Sequence, residues 1–203
     1  MTDDRADLAE RILDIALELG EQRGWDELHL HEIAQFLNIS LADIHRYYRQ
    51  KDDLAEAWFD RADRALLAMY EAPGWALLSQ RERLFRTIMA WFDALAPHRR
   101  LTAAMIGYKL HPEHLHLQAH GVTRISRTVQ WIREIACLPT TGLRRELEEA
   151  VLTTTYLLAF GRWLRDDSPG AQRTRALLDR LLARAEGAAL GLGSWLPGSP
   201  RDR

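Results

Sequence analysis

The chain has 203 residues, 47% of them apolar and 28% charged, with a formal net charge of −2. A chain of this length and apolar content builds a core without disulfides or metal clips, and its one cysteine, Cys137, excludes an internal disulfide. No run of about 18 apolar residues occurs, which excludes a membrane span, and the acidic start MTDDRADLAE lacks the apolar stretch of a signal peptide. A soluble, cytoplasmic protein is expected. Charge is unevenly spread: residues 1–70 carry 8 basic and 16 acidic side chains, net −8, against +6 for the remainder. That split predicts two units with different surfaces.

Apolar residues recur at spacings of three and four, and period-two alternation is absent, so the fold class is all-α with nine helices. The first is expected over 7–22, with Leu8, Ile12, Ile15, Ala16 and Leu19 inward, and Gly24 ends it. A second, over 30–37, places Leu30, Ile33, Ala34 and Leu37 on one face. Asn38-Ile39-Ser40 breaks the pattern, and Ser40 caps a third helix running to Tyr48, with Ile44 and Tyr48 inward. A fourth, over 52–71, carries Leu54, Trp58, Ala62, Ala65, Leu66 and Met69. Pro73-Gly74 marks a boundary. Beyond it, the capping box Ser79-Gln80-Arg81-Glu82 opens a helix over 80–96 that Pro97 stops. Helices over 98–110, 113–137 and 142–166 follow, and Ser168-Pro169 starts the last. The expected organisation is a first helical domain at 1–50, a connecting helix at 51–72, a second helical domain at 73–190 and a disordered tail at 191–203.

A short helix, a three-residue turn and a second short helix form a helix-turn-helix pattern. Gly24, Ile33-Ala34, Ile39-Ser40, Tyr47-Tyr48 and Lys51-Asp52-Asp53-Leu54 stand in the order found in one family. The stretch resembles the N-terminal domain of the tetracycline-repressor (TetR) family. This resemblance implies a ligand-responsive transcriptional regulator, expected to be a repressor, that binds a pseudo-palindromic operator in double-stranded DNA as a homodimer. Its third helix would lie in the major groove and present Leu41, Ala42, Asp43, His45 and Arg46. Arg46 is the candidate base reader, because a guanidinium bonds guanine O6 and N7 together. Tyr47, His45 and Lys51 are candidate phosphate contacts, and Ser40 would both cap the helix and offer its N-terminus to a phosphate. Three features depart from the family pattern. His45 stands where a tyrosine is usual, and His29 where a small hydroxyl residue begins the second helix. Asp43 puts a carboxylate on the groove face, where it repels phosphate unless it reads a cytosine amino group.

In the later helices, Trp91, Met105, Tyr108, Trp131, Tyr156, Phe160 and Trp163 are the candidate lining for a small apolar or amphipathic effector. Each alone reads more often as core than as ligand lining. Arg99-Arg100, Arg124, Arg127, Arg133 and Arg144-Arg145 read mainly as solvated helix faces. His111, His114, His116 and His120 cluster near Glu113, and His116 and His120 have the one-turn spacing that can share a metal. We read them as surface histidines and expect no metal or other cofactor. No serine has a histidine and aspartate setting and no glycine-rich phosphate loop occurs, so no enzyme is expected. Apolar stripes at Leu147, Val151, Thr154, Leu158 and Gly161, and at Leu177, Leu178, Leu181, Leu182 and Ala185, predict a four-helix dimer interface. A different function remains open. Trp163 to Pro169, with Thr174 and Leu178-Asp179, is similar to the last two helices of TetR-fold proteins that assist ubiquinone biosynthesis, which bind isoprenoid lipid and not DNA.

Overall fold

The computed structural model describes the backbone of residues 2–110 and 115–193 and the side chains of residues 7–108 and 123–188. Among these, every regular element is helical: α1 (Thr2–Arg23), α2 (Leu30–Leu37), α3 (Leu41–His45), α4 (Lys51–Ala68), α5 (Gln80–Leu95), α6 (Arg99–Leu110), α7 (Leu115–Ile135), α8 (Gly142–Trp163) and α9 (Gln172–Gly193). Short 3-10 turns occupy Met69–Glu71, Trp75–Leu77, Ala96–His98 and Pro169–Ala171. No helix among the described residues is long and apolar enough to cross a membrane. The histidine side chains of residues 111–120 and the tail beyond Gly193 lie outside the described residues.

Local signals account for most boundaries. Gly24, at φ 95°, donates its N–H to the Gly20 carbonyl at 2.9 Å and closes α1. The Ser79 box forms as expected: the Ser79 N–H and hydroxyl both donate to Glu82 at 2.9 Å, and the Glu82 N–H returns to Ser79 Oγ at 3.2 Å. Several boundaries differ from expectation: α1 begins at Thr2, α4 ends at Ala68 ahead of the Met69–Glu71 turn, and α9 begins at Gln172 after the Pro169–Ala171 turn. The third helix stops at His45 and not Tyr48, because the chain must turn at once into α4, where the Arg49 N–H donates to Asp53 Oδ2 at 2.8 Å. The eighth stops at Trp163, because Asp166 gathers the following turn onto itself. Its Oδ1 accepts from the Ser168 N–H (3.0 Å) and hydroxyl (2.5 Å), and its Oδ2 accepts from the Thr174 N–H and hydroxyl, both at 2.7 Å. Asp166 is fully buried. Burial alone would raise its pKa, but these four donors hold it well below the usual carboxylate range.

The chain forms two compact units, one from residues 1–65 and 91–124, the other from residues 66–90 and 125–203. In the first, Ile12, Leu13, Ala16, Leu17, Ile33, Ile44, Leu54 and Trp58 make a buried core that Leu101 and Met105 of α6 complete. Gly20 lets α1 approach α6 closely, since a Cβ there would lie 3.0 Å from Leu101 Cδ1. Trp58 Nε1 donates to Thr102 Oγ1 at 2.9 Å, and the Thr102 hydroxyl donates to the His98 carbonyl at 2.9 Å. In the second unit, Leu152, Tyr156, Ala159 and Trp163 of α8 are buried with Leu178 and Leu182 of α9. Trp75 Nε1 donates to the Ile135 carbonyl at 3.0 Å.

Two arginines read as solvated are buried. Arg133 is 5% exposed, with Nη2 donating to Thr140 Oγ1 at 3.2 Å. Arg124 is 8% exposed. Its Nη1 donates to Glu56 Oε2 and Asp60 Oδ1, and its Nη2 to Asp63 Oδ2, each at 2.8 Å. The guanidinium also lies 5.4 Å from the Phe59 ring centre. Burial opposes its charge, but Asp63, Glu56 and Asp60 together raise its pKa further. Glu56, Asp60 and Asp63 share one face of α4, so a single fork-shaped cation satisfies three carboxylates. Arg124→Ala leaves them facing one another and is expected to cost about 2–4 kcal/mol, roughly 5–15 °C in thermal midpoint. Arg124→Lys should rescue little, because one ammonium lacks the planar fork. Thermal melts of both variants check this.

Candidate nucleic-acid interface

The turn between α2 and α3 needs one left-handed residue, and Asn38 supplies it at φ 53°. The Ile39 N–H then bonds the Ala34 carbonyl at 3.0 Å and closes α2. Ser40 follows in extended geometry and starts α3. Its Oγ accepts from the Asp43 N–H at 3.1 Å, while its own N–H (3.1 Å) and hydroxyl (2.6 Å) donate to Asp43 Oδ2. The Ser40 hydroxyl, then the Ser40 N–H, hold the Asp43 carboxyl below its ordinary value. The carboxylate expected to face phosphate is therefore folded back as a cap. Its Oδ1 also accepts from Arg46 Nη1 at 2.9 Å.

The far end of α3 is held from inside. Ile44 is 1% exposed. Tyr48 is buried, and its hydroxyl donates to the Ala9 carbonyl of α1 at 3.0 Å. Leu41, Ala42, His45 and Arg46 point to solvent, with 71% of the Arg46 side chain accessible, and Tyr47 is half-buried beside them. Lys51 is placed differently from a free phosphate contact. Its Nζ donates to the carbonyls of Trp25 (3.0 Å) and Asp26 (3.1 Å) and lies 5.1 Å from the Tyr108 ring centre. Burial pushes its pKa down, against the pull of Asp26, Asp52 and Glu27. The ammonium thus ties the start of α4 to the loop between α1 and α2, and the cations exposed beside α3 are Arg46 and Arg49. At α2, the missing hydroxyl at His29 is compensated from the other side: the His29 N–H donates to Glu32 Oε2 at 3.1 Å, and Glu32 also pairs with Arg23.

Residues 12–58 match the family described as bacterial regulatory proteins, tetR family. The crystal structure of the TetR transcriptional regulator from Nitrosomonas europaea ATCC 19718 is 43% identical, covering 89% of this chain and 98% of that one with a TM-score of 0.80. The chain belongs to the TetR family of transcriptional regulators. Two more distant structures share the fold. A TetR transcriptional regulator from Rhodococcus sp. RHA1 is 18% identical over 90% of this chain and 98% of that one, with a TM-score of 0.63. The TetR family transcriptional regulator PfmR from Thermus thermophilus is 22% identical over 85% and 97%, with a TM-score of 0.52. None of the curated proteins compared matches the chain.

The candidate effector residues of the regulator divide between its units. Trp91, Met105 and Tyr108 belong to the first, and Trp131, Tyr156, Phe160 and Trp163 to the second. Trp91 and Met105 are core: Trp91 stacks on Phe59 at 5.9 Å and donates from Nε1 to Asp63 Oδ1 at 2.8 Å. Tyr108 is half-buried over Lys51, and Trp131 is exposed. On α8, Tyr156, Phe160 and Trp163 form a stacked row, with centres 6.0 and 5.9 Å apart and Phe160 partly open to solvent.

Burial pushes the Tyr48 phenol from 10.0 up to about 12. The unfolded chain therefore releases this proton first, so the contribution is present below pH 10 and is lost as pH rises towards 12. Tyr48→Phe should be about 1 kcal/mol less stable than the parent at pH 7, through the lost hydrogen bond. Between pH 10 and 12 the parent loses about 2–3 kcal/mol that the variant keeps, so the difference closes and inverts. Denaturant midpoints measured across that range check it.

Proposed function

We propose that this regulator is a repressor that binds a pseudo-palindromic operator in double-stranded DNA as a homodimer, and that a small apolar or amphipathic effector releases it. The observation that carries the reading is the outward face of α3: Leu41, Ala42, His45 and Arg46 exposed on a helix whose Ile44 is locked in the core. Laid in a major groove, Arg46 reaches guanine O6 and N7 and the apolar Leu41 and Ala42 meet thymine methyl groups. Tyr47, His45 and Arg49 serve phosphates, and Lys51 supports the surface by holding the loop behind it. The net −8 of the N-terminal stretch already counts Arg61, which pairs with Glu10 and Asp14, but not Arg124, whose single charge meets Glu56, Asp60 and Asp63; the reading rests on the local face of α3, where Arg46 and Arg49 are exposed.

Dimerisation is supported by α8. Leu143, Leu147, Val151 and Leu158 are exposed on it in the single chain. A shallow apolar groove of about 390 Å³ runs beside them, lined by Val151, Thr154, Leu158, Leu181 and Ala185 among others. A second copy of α8 and α9 would cover this face, burying more than about 2,000 Å² as obligate dimers do. The resemblance to ubiquinone-biosynthesis accessory proteins resides in the Trp163–Pro169 turn, which Asp166 explains as a structural lock, so it adds no weight to lipid binding. The effector reading is supported by Phe160, partly open to solvent in an aromatic row whose Tyr156 and Trp163 are buried. Tryptophan fluorescence and melting against fatty acids, isoprenoids and aromatic compounds test it, and a change in neither removes the effector from the proposal.

In mobility shifts against the upstream region of its own gene, the parent should bind at low salt. Arg46→Ala should weaken that binding by about 1–3 kcal/mol and relax one base position in each half-site. A folded dimer that shifts no such fragment overturns the reading. Leu158→Glu places a charge on a residue 54% exposed in the single chain, so folding is retained while a dimer would have to bury it. Light scattering at micromolar concentration should find this variant monomeric, and an unchanged dimer refutes the α8 interface.

A further inference from the structure

Asp43 is the one acidic side chain on the groove side of α3, and its contacts there have a direction. One oxygen, Oδ2, takes both donors of Ser40, at 2.6 and 3.1 Å, so the carboxylate has a fixed seat. The other oxygen, Oδ1, is left to accept Arg46 Nη1 at 2.9 Å. Asp43 is the less accessible partner, with 30% of its side chain exposed against 71% for Arg46. Ser40, Asp43 and Arg46 are spaced three residues apart, so the cap and the base-reading candidate share one side of the helix. An exposed arginine without such a partner samples many rotamers and binds whichever phosphate is near. A guanidinium held at one Nη keeps its remaining N–H groups for a planar acceptor pair.

We propose that Asp43 is a positioning residue for base recognition: seated by Ser40, it holds the Arg46 guanidinium across the groove face of α3 and turns a general phosphate binder into a guanine reader. This rests on the DNA-binding reading above. It also assigns position 43 two opposed effects, since the same carboxylate repels phosphate. Removing its charge should weaken sequence preference while strengthening sequence-independent binding. A cap that merely stabilised α3 would, when removed, weaken both.

The test uses the full-length protein and a pool of duplexes randomised over about 30 base pairs, followed by titration of the enriched duplex and an unrelated one at several salt concentrations. Asp43→Asn keeps an acceptor for Ser40 but turns an amide NH₂ towards Arg46. It should reduce the preference for the guanine that Arg46→Ala also relaxes by about tenfold or more. Its affinity for the unrelated duplex should rise severalfold, with a steeper salt dependence. In an Arg46→Ala background, Asp43→Asn should leave base preference unchanged, which places its action through Arg46. Asp43→Glu is the second variant: it keeps the repelling charge and misplaces it, so guanine preference falls without the gain on the unrelated duplex. Parallel loss on both duplexes in Asp43→Asn, or an enriched motif with no position that Arg46→Ala relaxes, overturns the proposal while DNA binding stands. If the parent enriches no sequence, the DNA reading falls and this inference with it.

Discussion

A helix of five residues has too few internal hydrogen bonds to persist in water, and α3 has five residues. Its conformation is imposed by what surrounds it. Ser40 and Asp43 hold one end, Ile44 is sunk in the core, and Tyr48 reaches across to the Ala9 carbonyl. Lys51 then fixes the following helix to the carbonyls of Trp25 and Asp26. The Ser40–Asp43 cap acts within the helix itself, whereas Ile44, Tyr48 and Lys51 end on other parts of the first unit. The outward face of α3 is therefore anchored to the core beneath it, which a reading surface requires.

The same economy governs the acidic side chains. A net charge summed over a stretch of sequence treats every carboxylate as part of one field, whereas several here have partners of their own. Arg61 takes Glu10 and Asp14, Arg64 also takes Glu10, Arg23 takes Glu32, and Arg124 takes three carboxylates of α4. Exposed pairs of this kind contribute little stability one at a time, but Arg124 is nine-tenths buried and its two Nη atoms reach three carboxylates. The sign of the field at α3 is set by which charges remain outward, and there Arg46 and Arg49 stand against a half-neutralised Asp43.

Helix number, caps and the inward pair Ile44 and Tyr48 were legible because each depends on spacing within one segment. The exposed side of α3 followed as the complement of that pair. What stayed hidden depended on partners far along the chain. Arg124 looked solvated because its three acceptors lie 61 to 68 residues earlier. The i, i+4, i+7 placing of Glu56, Asp60 and Asp63 was the available signal, a carboxylate stripe in need of a cation. Lys51 had no such signal, since its acceptors are main-chain carbonyls that any residue carries. The aromatic residues were ambiguous for another reason: burial in a core and lining of a pocket select the same side chains, and Trp91 proves to be core.

The approach of α1 to α6 carries a consequence for how the chain can vary. Gly20 sits in the last turn of α1, and the isobutyl group of Leu101 occupies the space a methyl would need. Positions 20 and 101 thus share a single volume. Among relatives that keep this helix spacing, a larger residue at 20 should travel with a smaller one at 101, so the two positions should co-vary as a reciprocal pair even though neither touches DNA.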